Sequence, residues 1–93
     1  MHLKAAYEKK MRDQLEALKE EIGELKGKTA QVETSLQLEY YTLVDELQLK
    51  LEMAQQKFRL LTQAGEDDWE EFRSEFELVW GSMRELIKSI ASP

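Results

Sequence analysis

The sequence predicts an all-α protein: an antiparallel helical hairpin or coiled coil that pairs one very long helix with a shorter C-terminal helix. Three observations favour this class. Apolar residues recur in steps of three and four along most of the chain, charged residues make up 34% of its 93 residues, and only one proline is present. A chain of this length forms one domain, which we assign to residues 1–93.

A first apolar stripe predicts one helix over residues 3–63. Gly23 and Gly27 lie within it, and each glycine costs a helix interior about 1 kcal/mol relative to alanine. The alternative is a three-helix bundle with a break near Gly27–Thr29, in which Thr29 caps a second helix. We favour the continuous helix because the phase of the stripe is preserved across this region. The stripe consists of Met11, Leu15, Leu18, Ile22, Leu25, Thr29, Val32, Leu36, Tyr40, Leu43, Leu47, Leu51, Ala54, Phe58 and Leu61.

Residues 64–67 predict a turn, and residues 68–91 a final helix. Gly65 is expected as a left-handed cap at the end of the first helix, while Asp67 and Glu70 form a capping box at the start of the last one. So short a turn makes the two helices antiparallel. The apolar stripe of the final helix consists of Trp69, Phe72, Phe76, Val79, Met83, Leu86 and Ile90, with Trp80 and Ile87 on its flank.

The two stripes are predicted to pack against each other as the core of the hairpin. That core comprises Tyr40, Leu43, Leu47, Leu51, Phe58, Trp69, Phe72, Phe76, Val79, Trp80 and Met83. At 1.5 Å per residue the first helix would be about 90 Å long and the second about 35 Å, so the second covers only residues 37–62. The uncovered arm predicts self-association, most simply as a two-fold homodimer. Its interface residues would be Leu15, Leu18, Ile22, Leu25, Val32 and Leu36.

The residue types that enzymes use for catalysis and for binding metals are almost absent from the sequence, so we predict no enzyme, no cofactor and no metal site. The chain has no cysteine, one histidine at position 2, no serine in a nucleophile-elbow or serine–base motif and no glycine-rich phosphate loop. The acidic residues from Glu66 to Glu71 lack the length and ligand pattern of a calcium loop. They place negative charge at the positive end of the final helix, which explains them more simply.

The charge and the hydropathy of the sequence limit the possible binding partners and the cellular location. A net charge of −6 with no basic stripe disfavours nucleic acid. The polar face of the final helix is acidic, which disfavours anionic membrane surfaces, although its aromatic residues keep lipid binding as the alternative function. No signal peptide or membrane-spanning segment is recognisable, so we expect a cytoplasmic protein.

Two segments near the C-terminus resemble a signature of small bacterial coiled-coil proteins described as uncharacterised or stress-response proteins. They are Ala64–Phe72, with its acidic run before Trp69, and the stretch from Glu77 through Trp80 to Leu86. The upstream stripe resembles the long helix of the same proteins. The resemblance implies no catalytic activity. Together with the stripes, it favours a non-catalytic, stress-related module that binds itself and other helical proteins.

Overall fold

The computed structural model describes residues 3–91, a range that leaves out His2. It contains three α-helices, α1 (Leu3–Gly27), α2 (Thr34–Gln63) and α3 (Trp69–Ala91), and one 3₁₀ turn at Thr29–Gln31. No strand occurs among the described residues, which confirms the all-α prediction.

The prediction of one continuous helix over residues 3–63 is wrong, and the alternative break near Gly27–Thr29 is what the structure shows. α1 ends at Gly27, and the amide of Lys28 closes its last turn on the carbonyls of Glu24 and Leu25 at 3.1 and 3.2 Å. Val32 is extended, with φ −79° and ψ 144°, and reverses the chain. The break is favourable because it folds the apolar stripe of α1 back onto the other helices, where a straight rod would leave it in water.

Thr29 explains why the stripe keeps its phase through the break. It lies in the 3₁₀ turn rather than in a helix, yet it is 2% exposed, and its hydroxyl donates to the carbonyl of Leu25 at 3.5 Å. A turn residue can therefore occupy a core position. Thr29 is not the predicted cap of the second helix, because α2 begins at Thr34 and is preceded by Glu33, whose side chain makes no capping bond.

The second turn lies close to its predicted position, but its chemistry differs. α2 ends at Gln63, and no glycine among the described residues has a positive φ, so Gly65 is not the left-handed cap that we expected. The carbonyl of Gly65 instead accepts hydrogen bonds from the amides of Asp68 and Trp69, both at 3.1 Å. This backbone turn starts α3 where the sequence predicted a side-chain cap by Asp67.

The three helices form an up-down-up bundle of 52 × 18 × 18 Å. The Lys4 ammonium donates to the carbonyl of Thr62 at 3.1 Å, so the start of α1 lies beside the end of α2. The Tyr7 and Trp69 rings are 5.7 Å apart, so α1 and α3 begin at the same end of the bundle. The central core consists of Met11, Leu15, Leu18, Ile22, Leu47, Leu51, Ala54, Phe58, Phe76, Met83 and Ile87.

Candidate interaction surface

The six residues predicted to join two copies lie mostly inside the single chain. Leu15, Leu18 and Ile22 are at most 7% exposed, and Leu25 is partly buried against the same core. Only Leu36 is widely exposed; Val32 is half-buried. The uncovered arm on which the predicted dimer depended is therefore absent, because the break near Gly27 lets α2 and α3 cover α1. Any contact between folded copies must use a different surface.

The residues predicted to form the hairpin core also lie in or against the core of the three-helix bundle. Leu47, Leu51, Phe58, Trp69, Phe76 and Met83 are buried, while Tyr40, Leu43, Phe72, Val79 and Trp80 are half-buried. The Phe76 ring lies 5.6 Å from the Phe58 ring and 6.0 Å from the Trp80 ring. The aromatic face of α3 thus fills the bundle, and it could meet lipid only after the bundle opened.

A cluster around Tyr7 joins α1 to α3 at one end of the bundle. The Tyr7 hydroxyl donates to Oε1 of Glu77 at 3.1 Å, and the Arg73 guanidinium lies over the rings of Tyr7 and Trp69. Burial raises the pKa of Tyr7 above its usual value of 10.0, and the hydrogen bond to Glu77 raises it further. Because the hydroxyl stays protonated and already has an acceptor, the cluster fastens two helices and offers no nucleophile.

No group of three histidine, cysteine, aspartate or glutamate side chains is placed to hold a metal ion in the part of the chain from residue 3 to residue 91. Within the same range, none of the helices combines the length and the apolar character needed to cross a bilayer. The groove beside Trp80 and Arg84 is lined equally by polar and apolar side chains, with Gln14 and Glu21 among the polar ones and Ala17 and Leu18 among the apolar ones.

The most unusual surface is the outer side of α2. Leu38 is 79% exposed, Leu49 62%, Met53 50% and Leu60 41%. Leu38, Leu49 and Leu60 are eleven residues apart, which is about three helical turns, and Met53 lies one turn after Leu49, so all four share one side of the helix. We call these four residues the outer stripe; Tyr41, 52% exposed, lies at its edge.

The outer stripe lies on the side of α2 that faces away from the bundle. The core-facing side carries Leu47, Leu51 and Phe58, which are buried and lie about half a turn around the helix from Leu49 and Leu60. α2 is therefore apolar on two opposite sides, and only one of them is covered. A surface helix of a globular protein normally has a polar outer side.

Charged residues border the outer stripe on both edges. The edge towards α3 carries Glu39, Glu46, Lys50 and Lys57, and Lys57 contacts Glu75 of α3 at 3.8 Å. The edge towards α1 carries Asp45, Glu52 and Arg59, and Arg59 lines a groove together with Arg12 and Glu16 of α1. The outer stripe is thus an apolar strip between two polar margins, which is the pattern of a helix that packs against another helix.

Leu78 shows that an exposed leucine alone does not make such a surface. It is 77% exposed on α3, but its neighbours one turn away, Ser74, Glu75 and Ser82, are polar. Single exposed apolar residues are normal on protein surfaces. Leu78 therefore provides a matched control for the clustered leucines of α2.

Comparison with known proteins gave no match: no family model, no curated protein and no solved structure is similar to this chain. The candidate surface therefore depends on the chain's own residues.

The outer stripe was not identified from the sequence because Leu38, Leu49 and Leu60 each lie within two residues of members of the first apolar stripe, which already predicted the helix. The available signal was the eleven-residue spacing of Leu38, Leu49 and Leu60, repeated by Thr42 and Met53. These positions lie on the opposite side of the helix from the first apolar stripe. A second set of apolar residues with helical spacing predicts a second apolar side of the same helix.

Proposed function

We propose that the protein is a non-catalytic helical interaction module that binds a partner helix along the outer stripe of α2. The observation that carries the proposal is the alignment of Leu38, Leu49 and Leu60, all at least 41% exposed, on one side of a 30-residue helix. Apolar residues aligned in this way gain free energy when a second apolar surface removes them from water.

Two further features support a binding role. α2 is held rigidly on its inner side by fully buried residues such as Leu47 and Ala54, so little ordering would accompany docking. The margins of the outer stripe are charged and can select an orientation. The resemblance to small bacterial coiled-coil proteins supports a stress-related role in a bacterial cytoplasm.

The experiment places a photo-crosslinking amino acid at Leu49 or, as the control, at Leu78, in the full chain expressed in living cells. We expect irradiation to give a discrete protein adduct from position 49 and none from position 78. Mass spectrometry should then locate the attachment point on a helix of the adduct. Equal labelling from both positions, or no adduct from position 49, would overturn the proposal.

Binding to a membrane surface is the competing outcome of the same experiment. The margins of the outer stripe carry four carboxylates, on Glu39, Asp45, Glu46 and Glu52, and three cations, on Lys50, Lys57 and Arg59, so they offer anionic headgroups no net positive charge. Crosslinking from position 49 to lipid, together with flotation of the protein on liposomes, would replace the protein partner by a lipid surface. We expect no flotation with either neutral or anionic vesicles.

A further inference from the structure

We infer that the partner helix is α2 of a second copy of this chain, packed antiparallel with the two-fold axis close to Leu49. This inference rests on the proposed function, because it names the partner of the same surface. It differs from the dimer expected from the sequence, which used residues of α1 that are buried in the bundle.

The outer stripe is self-complementary in the antiparallel orientation. Leu38 and Leu60 are both eleven residues from Leu49. When two α2 helices are centred on Leu49, Leu38 of each copy lies beside Leu60 of the other, and the two Leu49 side chains meet at the centre. Three apolar layers then form, one at each end and one in the middle. A two-fold contact requires this relation, in which one patch pairs with itself.

Polar side chains between these layers also find partners. The same register places Thr42 beside Gln56 of the second copy, since both are seven residues from Leu49. The Thr42 hydroxyl already donates to the carbonyl of Leu38 at 2.9 Å, so its oxygen is free to accept a hydrogen bond from the Gln56 amide. These polar pairs would be satisfied on docking, which removes a cost that usually opposes burial.

The charged margins favour the antiparallel orientation. In an antiparallel two-fold pair the edges that lie towards α3 meet each other. Glu39 then lies near Lys57 of the second copy, and Glu46 lies near Lys50 of the second copy, and the dyad repeats both pairs. Lys57 is 34% exposed and its contact with Glu75 is long, 3.8 Å, so it can reach a second carboxylate.

The parallel orientation matches these charges less well. There the edge towards α3 faces the edge towards α1, so Glu46 meets Asp45 of the second copy, and only Lys50 meets an opposite charge, Glu52. The antiparallel pair also contains unfavourable contacts, between Asp45 and Glu52 at the other edge, which the dyad repeats, and between the two Lys50 side chains near the axis. Exposed ion pairs add little affinity, but they discriminate between orientations of otherwise similar apolar contact.

The expected dimer is reversible rather than obligate. Four apolar side chains per copy form the outer stripe, far fewer than the core of the bundle contains, and the folded chain already buries its own core. Association should therefore depend on protein concentration, as it does for small interfaces between stable monomers.

Cysteine crosslinking tests the register directly, because the chain contains no cysteine of its own. In the antiparallel pair, Leu49→Cys should form a disulfide with itself and give a species of twice 10.9 kDa under non-reducing conditions. Leu38→Cys alone should not, since its two copies would be about 33 Å apart along the helix axes. A mixture of Leu38→Cys and Leu60→Cys should give the mixed disulfide.

Each other pattern overturns the inference. Self-crosslinking of Leu38→Cys as efficient as that of Leu49→Cys indicates the parallel orientation. Crosslinking of Leu78→Cys at the rate of Leu49→Cys indicates random collision. A mass of 10.9 kDa by light scattering at millimolar concentration, without crosslinking of Leu49→Cys, indicates that the protein does not self-associate.

A charge reversal gives an independent test of orientation. In the antiparallel pair Glu46→Lys places a lysine against Lys50 of the second copy and should lower the dimer fraction, and Glu46→Lys with Lys50→Glu should restore it. In a parallel pair the same single substitution would pair with Asp45 and raise the dimer fraction. Sedimentation velocity at a fixed concentration distinguishes the two results.

The photo-crosslinking experiment at position 49 distinguishes this inference from the proposed function. A photo-adduct from position 49 of twice the chain mass supports both. An adduct with a helix of a different protein, in a chain that stays monomeric, keeps the interaction module and overturns the self-association. Absence of any adduct at position 49 overturns both.

Discussion

The hydroxyl of Tyr40, in the second turn of α2, donates a 3.0 Å hydrogen bond to the main-chain carbonyl of Leu25, in the last turn of α1. The carbonyls of a last helical turn have no amide donor four residues later in the same helix, so they need donors from elsewhere. The same carbonyl also receives the amide of Lys28 at 3.2 Å. Tyr40 thereby joins the two helices on either side of the break and fixes how α2 leaves the turn.

Removal of this hydroxyl should weaken the fold. We expect Tyr40→Phe to lower the free energy of unfolding by about 1 kcal/mol, since the ring is kept and one half-buried hydrogen bond is lost. Urea titration followed by circular dichroism measures the change. The control is Tyr41→Phe, the same substitution at an exposed neighbour, which should have almost no effect. Equal effects of the two variants would show that the bond to Leu25 does not hold the turn.

The core of the bundle should be far more sensitive than its surface. Phe76 is fully buried and its ring lies 5.6 Å from that of Phe58, so Phe76→Ala should cost about 3–5 kcal/mol through lost burial and the cavity left behind. Leu78→Ala, two residues further along, changes a side chain that is 77% exposed and should stay within about 0.5 kcal/mol of the parent. Thermal and urea unfolding report both values. Comparable losses would contradict the assignment of the two sides of α3.

Helix content, the second turn and the bounds of α3 could be predicted because each depends on a local pattern. The periodicity from Trp69 to Ile90 is unbroken, and α3 begins within one residue of its predicted start. The break between α1 and α2 could not be identified as the better alternative in this way. Thr29 occupies a core position although it lies in a turn, so the spacing of the apolar residues is unchanged where the chain reverses direction.

The predicted interface was lost together with the continuous helix. Leu18 and Ile22 are apolar because they face other helices of the same chain, and a stripe alone does not show whether its cover is internal or external. The outer stripe is the reverse case. Leu38, Leu49 and Leu60 lie among residues already assigned to a helix, and only the packing of α2 shows that they face outward.

The Tyr7 cluster predicts a loss of stability at alkaline pH. The folded state raises the pKa of Tyr7 above its unfolded value of 10.0, so the contribution of Tyr7 is fully present below pH 10. As the pH rises beyond that value the unfolded chain releases the proton more readily, which stabilises the unfolded state.

Unfolding free energies at pH 8 and pH 11 for the parent and for Tyr7→Phe test this linkage. The parent should lose more stability than Tyr7→Phe between these pH values, because the variant has no phenol at this position to titrate. Tyr41→Phe, which keeps Tyr7 and its bond to Glu77, should follow the parent. Parallel pH profiles for the parent and Tyr7→Phe would contradict the linkage.

Replacement of the glycines within helices by alanine should raise the free energy of unfolding. Gly23 of α1 and Gly81 of α3 have no atom within 4 Å of an added Cβ and no positive φ, so alanine fits both positions without strain. Each substitution should raise the free energy of unfolding by about 0.5–1 kcal/mol, because alanine loses less backbone entropy in a helix interior. Gly27→Ala should gain less, since Gly27 is the last residue of α1 and lies where the helix must stop. Urea unfolding compares the three variants, and a larger gain at Gly27 than at Gly23 would show that the first helix tends to continue through the turn.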